Sequence, residues 1–170
     1  DADFAITGAN DTPTVSAGPQ SAQLVEAGGV SNATTGTASA TIALAKADVD
    51  GTASFDVSYL TTHDWSTDDT GATYTKAGTY GTATLNTATG LVTYTLENAL
   101  VATQELDANE ATNDTFAIVI TDGTAQTTTN AVFNITGTHD APTLTACAQP
   151  GQLVEAGGIG NATAGTSTAT

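Results

Sequence analysis

The chain has 170 residues, two of them basic (Lys46 and Lys76) and eighteen acidic, for a formal net charge of −16. Phosphate backbones are gripped by Lys and Arg, so nucleic acid is excluded as a partner, and an anionic bilayer surface repels such a chain. A hydrophobic fraction of 39% with abundant Thr, Ala and Gly predicts a folded β protein and not a disordered acidic tail.

In chain order, strands are predicted at Gln23–Ala27, Ala38–Leu44, Ser54–Leu60, Ala72–Lys76, Tyr80–Leu85, Leu91–Leu96, Thr115–Thr121 and Thr127–Thr136. Phe116, Ile118 and Ile120 alternate along the seventh, and Ala131, Phe133 and Ile135 along the eighth, so one face of each enters a core. Asp122-Gly123 reads as a tight hairpin turn between them, and Thr89-Gly90 closes another. Glu97 to Ala111 is the one helix-compatible segment, with Asn98 as its candidate cap and Leu100, Val101 and Leu106 as its apolar patch. The expected fold class is all-β, an Ig-like or cadherin-like β-sandwich with one short helical segment.

The end of the chain repeats its beginning. Gln23-Leu-Val-Glu-Ala-Gly-Gly29 returns unchanged as Gln152-Leu-Val-Glu-Ala-Gly-Gly158, an offset of 152 − 23 = 129. Phe4-Ala-Ile-Thr-Gly8 returns as Phe133-Asn-Ile-Thr-Gly137 in the same register, and the linker after it, Gly8-Ala-Asn-Asp-Thr-Pro13, as Gly137-Thr-His-Asp-Ala-Pro142. A period of that length matches a self-sufficient domain strung in an array and exceeds any solenoid unit. Residues 1–11 are then the last strand and linker of a preceding repeat, residues 12–136 a complete sandwich, and residues 137–170 the linker and first strands of the next. The terminal segments are expected to be ordered by a continuing chain or by other copies.

Cys147 aligns by the offset with Gly18, so no cystine framework recurs, and a single cysteine forms no disulfide within the chain. In so acidic a chain, bound metal is the alternative source of stability. No apolar run reaches membrane-spanning length, and direct membrane insertion is not expected.

The stretches Gly78-Thr-Tyr-Gly-Thr-Ala-Thr-Leu-Asn86, Gly90-Leu-Val-Thr-Tyr-Thr-Leu96, Asn113-Asp-Thr-Phe116, Thr121-Asp-Gly123 and Ile135-Thr-Gly-Thr-His-Asp-Ala-Pro142 resemble the VCBS repeat of giant RTX-type bacterial adhesins. They cover most of the complete repeat in the family's order. His139 stands where the family usually has Asn, a residue that Asn10 keeps at the equivalent earlier position. The resemblance implies a calcium-binding extender module of an adhesin on the bacterial cell surface or in biofilm, exported by type I secretion, with no catalysis.

Ca²⁺ takes six to eight hard oxygen ligands from carboxylates and carbonyls on turns. Asp48-Val-Asp-Gly51 offers two carboxylates, those of Asp48 and Asp50; Asp11 and Asp140 stand in the linkers just before a Pro, and Glu26 and Glu155 open the recurring Gly-Gly turns. The linker pattern also resembles that of cadherins, where calcium fixes the angle between neighbours. The plain alternative is turn chemistry without metal, because Asp and Asn favour such turns unaided. An EF-hand at Asp48 is rejected, since Thr52 and Tyr59 occupy its fifth and twelfth positions. The RTX nonapeptide is broken at Gly28-Gly-Val-Ser-Asn32.

His63-Asp-Trp-Ser-Thr-Asp-Asp69 is a second candidate: Trp65 with Asp64 and Asp68 could stack and hydrogen-bond a sugar, or Trp65 could simply cover the end of the sandwich. A Ser66, His63, Asp64 triad is rejected because near-adjacent residues cannot form the relay, and no carboxylate pair is singled out for glycosidase chemistry. The expected function is non-enzymatic: a calcium-stiffened spacer whose partners are neighbouring repeats. The alternatives are a carbohydrate-binding module and a filament or surface-layer subunit that exchanges terminal strands with other copies.

Overall fold

The computed structural model describes residues 1–28, 34–68, 70–142, 144, 146 and 165. Glu155, Asp69 and Cys147 lie outside the described residues. Among the described residues, ten strands and two short helices follow one another as β1 (Thr14–Ala17), β2 (Leu24–Val25), β3 (Ser39–Ala47), β4 (Ser54–Phe55), α1 (Val57–Thr62), β5 (Ser66–Thr67), β6 (Thr73–Ala77), β7 (Gly81–Asn86), β8 (Leu91–Leu96), α2 (Val101–Gln104), β9 (Ala111–Thr121) and β10 (Gln126–Thr136). They form a six-stranded sheet ordered β1-β3-β8-β7-β6-β5 and a four-stranded sheet ordered β2-β10-β9-β4. The first strand is broken between the sheets: β1 runs antiparallel to β3, and β2 runs parallel to β10. This is the strand order of an Ig-like sandwich, enlarged at the β6–β5 edge.

The core follows from two-residue alternation. Ile42, Leu85, Val92 and Tyr94 point inward from one sheet and Ile118 and Phe133 from the other, all essentially without solvent contact. Tyr94 stacks on Phe133 with ring centroids 5.0 Å apart, and Phe116 meets Phe133 edge-on at 6.3 Å. The outward residues explain why the chain is rich in threonine. Thr41, Thr93, Thr84, Thr75 and Ser66 stand in one row across five strands, and such cross-strand pairs stabilise a sheet without making its face apolar. Among the described acidic residues only Asp114 lies within a strand, and the others stand in the segments between strands.

Four local expectations are corrected. Ser54–Leu60 is not one strand: after β4, Asp56 accepts a hydrogen bond from the Tyr59 amide at 2.9 Å and caps α1, which buries Leu60. The helical segment is a single turn with Leu100 at its N-cap position, and Asn98 instead accepts the Ala27 amide at 2.9 Å. Strand β9 begins at Ala111, four residues early, because the whole of β10 pairs with it. Both hairpins have four-residue connections, since Thr121 pairs with Gln126 and Asn86 with Leu91. Gly90 closes the second at φ 71°, where any Cβ would also lie 2.7 Å from the Leu44 carbonyl.

Candidate metal centre

The proposed ligands divide between the two ends of the sandwich. Strand β10 has eleven residues and spans roughly 33 Å. Its first residues lie beside the Asp11, Asp48 and Asp50 group, here termed the leading pole, and its last beside Glu26 and Asp140, the trailing pole. The sequence reading placed these carboxylates at junctions, and the fold sends the two linkers to opposite ends.

At the leading pole the linker is tied to the domain. The Asp11 amide donates to Asp50 Oδ2 at 3.1 Å, and Asn10 Nδ2 donates to Asp122 Oδ2 at 2.9 Å. Asp48 Oδ1 accepts the Asp50 and Gly51 amides at 3.1 and 3.0 Å, which is Asx-turn chemistry. Its other oxygen, Oδ2, is buried without a hydrogen-bond partner. Asp122 was missed as a site residue because it read only as a turn former. It does form the turn, with Oδ1 accepting the Thr124 and Ala125 amides, and these bonds together with Asn10 hold its carboxyl below the usual range.

The trailing pole is built around Glu26, which is fully buried where a surface turn residue was expected. Its Oε2 accepts the Thr138 amide at 3.0 Å and its Oε1 accepts Gln104 Nε2 at 3.3 Å. Burial raises its pKa, the Thr138 amide opposes the rise, and the neighbouring Asp140 carboxylate adds to it. The fold thus brings Asp140 near enough to Glu26 to act on it electrostatically, although 114 residues separate them in sequence. Position 155 repeats position 26 but lies outside the described residues.

The donor chemistry fits a hard divalent cation. Asp11, Asp48, Asp50 and Asp122 offer only oxygen, and a buried carboxylate oxygen with no donor is costly unless a cation approaches it. Among the described residues, no group of three or more His, Cys, Asp or Glu converges as a ready-made metal site.

Of the two readings of the Trp65 loop, burial fits the one in which the ring covers the sandwich. Trp65 is only 3% exposed and meets Phe116 edge-on at 5.9 Å within the core, so its ring has no open face for a sugar. Its indole N–H is buried without a partner. Asp64 sits in the left-handed region at φ 62°, and Asp68 is fully exposed with its carboxyl held low chiefly by the Thr70 hydroxyl. His63 stacks on Tyr59 at 3.8 Å and bonds the Tyr59 carbonyl through Nδ1. The structure therefore does not bring Trp65, Asp64 and Asp68 together as a binding face. The two lysines donate to backbone carbonyls, Lys46 to Ala53 and Lys76 to His63.

Comparison with known proteins returned no matching family model, no matching curated protein and no matching solved structure.

Proposed function

We propose that this chain is part of a tandem array of calcium-stiffened spacer domains in a secreted bacterial surface adhesin. One observation carries the reading: the recurring linker meets the sandwich at opposite ends, Asp11 at the leading pole and Thr138 at the trailing pole. A domain joined in that way extends a chain lengthwise. Its outward strand positions are uncharged and hydroxyl-rich, and its acidic groups gather in the loops. Without metal, carboxylates brought together at a junction repel one another; a bound cation neutralises and crosslinks them, so that domain length becomes reach. The residues that would hold it are Asp11, Asp48, Asp50 and Asp122 at the leading pole, with Glu26 of the preceding unit facing them; Asp140, 129 positions after Asp11, takes the place of Asp11 at the next junction. Burial of Trp65 favours the spacer over the carbohydrate-binding alternative.

Binding to the folded state alone stabilises it by mass action. The melting temperature should rise in millimolar calcium and fall in excess chelator, and Asp48→Ala with Asp50→Ala should remove most of the difference. An unchanged melting temperature across these conditions, in the chain and in a version carrying two complete repeats, would sink the calcium reading.

A further inference from the structure

Residues 8–13 and 137–142 are two copies of one linker, the first entering the sandwich and the second leaving it, and the two poles grip it at overlapping positions. The trailing pole engages residues 137–141. Gly137 is buried: its amide donates to the Glu110 carbonyl at 2.8 Å, and its carbonyl accepts the Asn109 amide at 3.0 Å. A Cβ there would lie 2.5 Å from the Asp107 carbonyl oxygen and 2.6 Å from Leu106 Cβ, so only glycine fits. The Thr138 amide donates to Glu26 Oε2 at 3.0 Å, and its hydroxyl to the Glu26 carbonyl at 3.4 Å. Asp140 is not free either: it is half-buried, as is Ala141, and it lies near enough to Glu26 to act on it. His139 and Pro142 are exposed.

The leading pole engages residues 10–13, the equivalents of 139–142, through other groups. Asn10 Nδ2 donates to Asp122 Oδ2, the Asp11 amide donates to Asp50 Oδ2, and Pro13 is buried with its carbonyl accepting the Thr127 hydroxyl. Asp11 and Thr12 are exposed, whereas their counterparts Asp140 and Ala141 are half-buried. The proline is the converse, buried at 13 and exposed at 142.

We propose that in a continuous array the linker is gripped by both units at once, so that the trailing pole of one copy lies directly against the leading pole of the next. This rests on the tandem reading above but not on the cation. The upstream unit takes the backbone of 137 and 138 and covers 140 and 141. The downstream unit takes the side chain at 139, the amide at 140 and the proline at 142. None of these groups is used at both poles, and each residue that one pole leaves open the other engages. Positions 139–141 lie within both grips, and three residues span at most about 10 Å even when fully extended. Two units that hold the same three residues leave no hinge between them. Val49, between Asp48 and Asp50, and Val101, one turn before Gln104 on α2, are 87% and 70% exposed at the two poles, where a neighbouring unit would cover them. The partner that these poles fit is a second copy of the same unit.

The test is backbone amide relaxation in chelator at roughly 0.15 M salt, where repulsion between exposed carboxylates more than about 8 Å apart is largely screened. In the full chain, residues 10, 11, 137, 138, 140 and 141 should show order parameters near the roughly 0.85 of rigid backbone, and residues 2–8 should fall below about 0.6. Asp50→Ala should lower the order of residues 10 and 11 and leave 137–141 unchanged. In a two-unit chain, with everything after Pro142 replaced by a second copy of residues 14–142, every amide from 137 to 141 should be rigid and both units should share one tumbling time. Two glycines inserted between Asp140 and Ala141 of that first linker should let the units tumble separately while each still melts cooperatively. Residues 140 and 141 as mobile as residues 2–8 in the full chain would overturn the proposal, as would two tumbling times in the two-unit chain or an insertion that leaves the tumbling unchanged. A shared tumbling time that appears only when calcium is added would overturn it too, while leaving the calcium reading standing. A calcium-insensitive melting temperature with a shared tumbling time in chelator would support it and sink the calcium reading. A second copy that fails to fold behind the first would sink the tandem reading, and the proposal with it.

Discussion

Asp114 offers the most searching test of how the sandwich is held together. It is the one described acidic residue inside a strand, it is buried, and it binds three donors: the Thr79 amide at 3.0 Å through Oδ1, and the Tyr80 amide at 3.0 Å and the Tyr94 hydroxyl at 2.6 Å through Oδ2. These bonds pin β9 of one sheet to the β6–β7 turn and to β8 of the other. The same arrangement pushes the Tyr94 pKa up, first through burial and then through the Asp114 carboxylate. In Asp114→Ala the Thr79 amide can find water, because Thr79 is exposed, whereas the Tyr94 hydroxyl, fully buried, cannot. Orphaning that hydroxyl and the half-buried Tyr80 amide costs about 1–3 kcal/mol each, partly offset by no longer burying a carboxylate, so a loss of about 3 kcal/mol is expected. For a domain of this size that lowers the melting temperature by roughly 12 °C. Tyr94→Phe removes one donor and leaves Asp114 with two backbone amides, at a cost of about 1 kcal/mol. Urea unfolding of both single variants and the double variant measures the coupling. An Asp114→Ala loss below about 1 kcal/mol, or strict additivity with Tyr94→Phe, would refute the reasoning.

Two further outcomes follow from burial. Trp65→Ala should destabilise by about 3–5 kcal/mol as a core cavity, and titration calorimetry of the native chain with soluble oligosaccharides should show no heat that depends on Trp65. Glu26 has a raised folded pKa, so its contribution to stability is fully present below its ordinary value of 4.5 and is lost as pH rises through the folded value. Glu26→Gln should remove that pH dependence from metal-free melting curves and reduce any calcium-induced rise in melting temperature at neutral pH.

Much of the fold was legible in the sequence wherever the two-residue alternation was strong. Phe116, Ile118 and Ile120, and Ala131, Phe133 and Ile135, declare their buried face by spacing alone, because a pleated strand must send alternate side chains the same way. The failures came where local signals conflict. Ser54–Leu60 alternates well enough to pass for a strand, yet Asp56 caps a helix within it. The two-residue strands β2, β4 and β5 are set by neighbours and carry no periodicity of their own.

The candidate site divided in the same way. That Asp48 and Asp50 belong together follows from turn chemistry, and the 129-residue recurrence of the linker is a property of the sequence by itself, whereas Asp11 joins them only in the fold. Which carboxylates share a pole was decided by tertiary structure. Asp122 reaches Asn10 only because β10 starts beside the linker, and Glu26 meets Thr138 and Asp140 only because β2 runs parallel to the end of β10. Trp65 shows the same limit from the other side, since the sequence left its ring as either a sugar platform or a cover for the sandwich until α1 and β5 carry it onto Phe116. Spacing along the chain fixes which face of a strand is apolar. Distance across the sandwich depends on strand order, and strand order is a choice among long-range pairings that no local pattern encodes.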